Sequence, residues 1–78
     1  MGRVKWKLHS FLKEHNLNAY RLSKTLIEET RAATVYRLAR QGKEPQRVDL
    51  PTLAIIIKGL RDLTGADVQV SDLLEYHD

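Results

Sequence analysis

Apolar residues recur along this chain at helical spacing, interrupted by residue types that cap or end helices. Val4, Leu8, Phe11 and Leu12 stand at i, i+4, i+7 and i+8, one face of a helix. They predict a first helix from about Val4 to His15, with Lys5, Lys7 and Lys13 on its polar side. The stretch NLN at 16–18 breaks the pattern. Asn18 is a good N-cap, and Leu17 before it can pack on Leu22 as a hydrophobic staple. A second helix is predicted from about Ala19 to Ile27, with Ala19, Leu22, Ser23 and Leu26 inward. Two small residues in that stripe would let another helix approach closely.

Thr30 is the expected cap of a third helix, which should end near Gln41 because Gly42 follows, a residue type that terminates helices in the left-handed conformation. Asp49 is expected to cap a fourth helix, with Val48 and Leu53 as its staple and Pro51 tolerated in the first turn, running to about Leu63. Ser71 then caps a short fifth helix over DLLEYHD, where Leu73 and Leu74 cover the end of the core. The pattern predicts an all-α fold, a compact bundle of five helices forming one domain over 1–78. No repeat or low-complexity tract divides it.

Composition narrows the class. A chain of 78 residues supports one modest core and is too short to enclose a large substrate cavity. It has no cysteine, so neither disulfides nor a zinc–thiolate site can supplement that core, and a reducing cytoplasm suits it. No signal-peptide pattern opens the chain, and LAIII from Leu53 to Ile57 is too short an apolar run for a bilayer. A soluble, cytoplasmic protein without membrane partners is expected.

Net charge is +3, unevenly placed. Residues 1–47 hold eleven Lys or Arg against four Asp or Glu, a balance of +7, whereas 48–78 hold two against six, a balance of −4. A basic half joined to an acidic half suits a surface that meets a polyanion on one side.

On a helical wheel with Val35 inward, Leu38 and Ala39 share its side, while Ala33, Arg37 and Arg40 project oppositely, flanked by Thr34, Tyr36 and Gln41. The outward face is small at its start and cationic along its length. Small side chains let a backbone approach its target, and an arginine one turn on can grip a planar pair of acceptors. A DNA major groove offers both.

With these residues in view, the chain resembles the phage-repressor, Cro-like (XRE) family of helix-turn-helix proteins. AYRLSK in the second helix, TVYRLARQG in the third, VDLPTLAIIIKGL in the fourth and the closing VSDLLEY carry the resemblance, in the family's order and over nearly the whole chain. The resemblance implies a Cro/repressor-type helix-turn-helix whose third helix enters the major groove, and a regulator, most simply a repressor, in a prokaryote or phage. TLIEET, from Thr25 to Thr30, lacks the glycine of the family's tight turn and is about two residues longer, which leaves the start of the third helix open. By the same resemblance Ala32, Ala33, Thr34 and Arg37 are candidate base readers. Asn18, Tyr20, Arg31, Tyr36, Arg40, Lys43 and Arg47 are candidate contacts to the DNA backbone, which position the protein while base contacts specify the site.

Other chemistry lacks its groups. His9, His15 and His77 are scattered without metal-ligand spacing, and Glu28 and Glu29, adjacent on a helix, point in different directions. No base-and-orienter set accompanies the hydroxyl residues, so no enzyme, metal or cofactor is expected. Trp6, off the first helix's stripe, and Ile55 beside Gly59, off the fourth's, are candidate contacts for a partner if exposed. The expected partners are double-stranded DNA and a weak homodimer that forms fully on DNA. Two competing readings are an antitoxin-type protein that also binds a partner protein, and an interaction module that has lost DNA binding.

Overall fold

The two ends of the chain, assigned to helices by their spacing, pair as strands instead. In the computed structural model, which describes residues 2–78, the order is β1 (Arg3–Trp6), α1 (Leu8–Glu14), α2 (Ala19–Thr25), α3 (Ala32–Leu38), α4 (Leu50–Thr64), a 3-10 turn (Val70–Asp72) and β2 (Leu74–His77). The fold is therefore four α-helices and a two-stranded antiparallel sheet, not an all-α bundle of five. Arg3 lies opposite His77, Val4 opposite Tyr76, Lys5 opposite Glu75 and Trp6 opposite Leu74.

RVKW and LEYH both alternate polar and apolar residues, and both hold the β-branched or aromatic types that suit a pleated surface. A Val4–Leu8 spacing of four satisfies a period of two as well as one of 3.6, so the helical reading of this end was ambiguous at its root. The antiparallel pairing decides it. Lys7 at the end of β1 meets Glu75 across the sheet, Nζ to Oε2 3.0 Å, and its proximity holds the Glu75 carboxyl below the ordinary range. At the other end of the chain, the 3-10 turn replaces the helix expected from Ser71. Its cap is Gln69, whose backbone N–H donates to Asp72 Oδ2 at 2.8 Å.

The central helices follow the pattern more closely: α2 is shorter than expected at its C-terminal end, α3 at both ends, and α4 matches to within a residue. Asn18 caps α2, its Oδ1 accepting from the Arg21 N–H at 2.8 Å, and α2 stops at Thr25. Arg31 rather than Thr30 occupies the cap position of α3, in extended conformation and without a side-chain cap. Helix α3 ends at Leu38, leaving Arg40 and Gln41 in the turn before Gly42, whose φ of 81° is left-handed. Asp49 caps α4 through the Thr52 N–H at 2.8 Å, and left-handed Gly65 ends it.

The core joins every element: Trp6, Leu8, Phe11 and Leu12 from the N-terminal quarter, Leu22 and Leu26 from α2 and its end, Val35, Leu38 and Ala39 from α3, Leu53, Ile56 and Leu60 from α4, then Val68 and Leu73. Val4, expected in the core, is exposed. Trp6, expected outside it, is 7 % exposed. Its indole N–H donates to the Leu38 carbonyl at 2.7 Å, satisfying an acceptor that the end of α3 would otherwise leave open. The N-terminal strand is thus fastened to the last residue of α3. Gly59 is buried where α4 crosses α2: a Cβ there would lie 2.8 Å from Leu26 Cδ2 and 3.0 Å from Leu22 Cδ1. The missing side chain permits an approach within this chain, not one by a second copy. Ile55 packs half-buried against the core. Neither it nor Trp6 meets the exposure that a partner contact on those residues would need.

Candidate nucleic-acid interface

Helix α3 packs mainly on α2, turning Val35, Leu38 and the following Ala39 inward. What remains outward follows from the helical period. Ala32 and Ala33 are exposed in the first turn, Thr34 is half-buried, and Tyr36 and Arg37 are exposed one turn on. Arg31 is exposed immediately before the helix and Arg40 immediately after it. Two alanines followed by Arg37 give a face with room at one end and a planar five-donor group at the other.

Helix α2 and the loop after α3 expose the other candidate contacts. Asn18 and Tyr20 are exposed at the start of α2. Capping uses the Asn18 oxygen, and its side-chain NH2 makes no hydrogen bond to the described residues. The loop between α3 and α4 exposes Lys43 and Arg47. Its turn is closed by Glu44, whose Oε1 accepts from the Gly42 N–H at 3.2 Å.

Two cations of this region escaped the sequence reading. Arg21 and Lys24 are exposed on α2, and the Lys24 ammonium lies 5.6 Å from the centre of the Tyr20 ring, within the range of cation–π attraction. The i, i+4 spacing of Tyr20 and Lys24 was the available signal.

The ion pairs of the molecule lie elsewhere. Among the described residues they join Lys7 to Glu75, Lys58 to Glu29, Arg61 to Asp67 and His77 to Glu75. None involves Arg21, Lys24, Arg31, Arg37, Arg40, Lys43 or Arg47. In the α2–α3 connection, Glu29 is engaged at 3.1 Å by Lys58 from α4 and holds that ammonium above the ordinary lysine range, while its neighbour Glu28 is exposed and makes no ion pair among the described residues. Seven cations are left facing solvent without a carboxylate within 4 Å.

Among the described residues, no helix is long and apolar enough to cross a membrane. No protein-family model, curated protein or solved structure matches the chain.

Proposed function

We propose that the chain binds double-stranded DNA sequence-specifically, with α3 in the major groove, and that it acts as a transcriptional regulator, most simply a repressor. The observation that carries this reading is the unpaired cationic surface around α3: exposed Ala32 and Ala33, then Arg37, with Arg31, Arg40, Lys43 and Arg47 on its margins and no carboxylate partner for any of the five. Small residues admit the helix to the groove, Arg37 supplies a fork that matches the O6 and N7 acceptors of guanine, and Thr34 can meet a base edge or a thymine methyl. Arg31, Arg40, Lys43 and Arg47 engage phosphates on either side. Asn18, Tyr20 and Tyr36 contribute neutral hydrogen-bond donors to the same backbone. The resemblance to Cro-like repressors in the residues of α2, α3 and α4 supports the same role.

The direct experiment is selection from a pool of random duplexes by the purified chain. Sequence-specific binding predicts enrichment of a short recurrent motif containing a guanine that Arg37→Ala no longer requires. A pool that remains random through repeated rounds, although protein and DNA associate, would reduce the function to non-specific coating.

A further inference from the structure

The sheet of β1 and β2 has two open edges. Lys7 N–H donates to the Leu73 carbonyl at 2.7 Å, in line with the observed register. By the alternation of an antiparallel ladder, Lys5–Glu75 and Arg3–His77 are then the pairs that exchange hydrogen bonds. The N–H and C=O groups of Leu74 and Tyr76 point away from β1, along the outer edge of β2, and those of Val4 and Trp6 along the outer edge of β1. Among the described residues, no further strand is hydrogen-bonded to either edge.

We infer that β2 is a dimerisation strand, pairing antiparallel with β2 of a second copy about a two-fold axis centred on Tyr76. The charges select both edge and register. Pairing Tyr76 with Tyr76 of the second copy sets Glu75 opposite His77 of the second copy, and His77 opposite its Glu75. A register shifted by one step of the ladder sets Glu75 against Glu75. Antiparallel self-pairing of β1 brings together only cations from Arg3, Lys5 and Lys7, which repel. Within one chain, His77 Nε2 already lies 2.8 Å from Glu75 Oε1, yet it is buried without an aligned hydrogen bond.

The same register covers apolar surface. Val4, Trp6, Leu74 and Tyr76 share one face of the sheet. Trp6 and Leu74 meet the core at one end, whereas Val4 and Tyr76, a directly opposed pair, are 63 % and 64 % exposed at the other. In the four-stranded sheet of a dimer, Val4, Tyr76 and their counterparts form one continuous row across the axis. Because Trp6 fastens β1 to the end of α3, such a sheet also holds two α3 helices at a fixed separation. The inference does not rest on DNA binding, since the assembly is read without DNA.

Sedimentation equilibrium of the whole chain, up to about 1 mM so that even millimolar affinity is seen, tests it with two proline variants. Tyr76→Pro removes an N–H from the outer edge of β2 and none from the ladder within the chain. Val4→Pro does the same on β1. The wild type is expected to dimerise, Val4→Pro to dimerise as well, and Tyr76→Pro to remain monomeric with an unchanged circular dichroism spectrum. A monomeric wild type overturns the inference. So does a Val4→Pro variant that stops associating, which would point to β1-to-β2 chains. If Tyr76→Pro unfolds, His77→Glu replaces it: two like-charge pairs across the axis should weaken the dimer about tenfold, and an unaltered dimer would overturn the proposal.

Discussion

Arg37 and Lys43 are both exposed cations without a carboxylate partner, and the proposed interface gives them different work. In the proposed complex Arg37 would face the groove from the second half of α3, whereas Lys43, in the following loop, would reach only the backbone of DNA. Arg37→Ala should cost about 1–3 kcal/mol on the preferred site and relax the choice at one base pair, while Lys43→Ala should weaken all sequences about equally. Competition assays with preferred and random duplexes separate the two. Equal losses on both duplexes for Arg37→Ala would make it a phosphate contact. Asp49 offers a residue-scale test of the fold. Hydrogen bonds from the Thr52 side chain and backbone hold its carboxyl below the ordinary 3.8. A lowered folded value means the cap's ionic contribution is fully present above the ordinary value and is lost as pH falls through the folded one. Thermal melts should show Asp49→Asn losing less stability than the wild type between about pH 5 and pH 2. Parallel losses would assign acid sensitivity to other groups, Glu75 beside Lys7 first among them.

At the scale of elements, the sheet ties the two ends of the chain together, and Trp6 ties the sheet to α3. Trp6→Phe removes the donor that satisfies the Leu38 carbonyl and should destabilise by about 1–3 kcal/mol, measurable by urea unfolding. No loss would mean that the carbonyl finds another partner. Gly59→Ala sets two opposing effects against each other. Alanine favours the helix by about 1 kcal/mol, but its Cβ would lie 2.9 Å from Leu26 Cγ, an overpacking worth about 1–3 kcal/mol. A net loss is expected in the same assay, and a stabilised variant would refute the close approach of α4 and α2. The sequence made the three central helices legible because their stripes are long enough to exclude a period of two, and because Asn18 and Asp49 mark the starts of α2 and α4 with side-chain caps; α3, which has none, was legible in its middle but not at its start. It did not disclose the sheet. Four-residue strands carry at most two apolar positions each, and their partners lie at opposite ends of the chain, so no local pattern records the pairing. Trp6 was misplaced for the same reason: off the stripe of a helix, it is on the inner face of a strand. The exposed residues of α3 could be read from Val35 because the period of 3.6 holds through Leu38. Arg40 lies beyond the helix end, where the wheel no longer applies.

For the molecule as a whole, the ion pairs leave every Lys and Arg of α2, α3 and the following loop without a carboxylate partner, and Arg3, Lys5 and Lys13 on β1 and α1 as well. Glu75 is met by Lys7 and His77, Glu29 by Lys58, and Asp67 by Arg61, which leaves Glu28 and Glu44, besides the α4 cap Asp49, as the exposed acids in the connections on either side of α3, against seven cations of α2, α3 and these connections. The longest extent of the chain is 38 Å and it carries one α3, whereas successive major grooves are about 34 Å apart. If the proposed function holds, one copy would read one half-site, and two copies joined through β2 a near-palindrome. The seven unpaired cations of α2, α3 and the adjoining connections are proposed to form a surface for duplex DNA. Equilibrium binding to a single duplex over a salt series measures that surface most directly. Neutralising about six phosphates predicts a plot of log affinity against log salt with a slope near −5; an affinity that hardly changes with salt would contradict it.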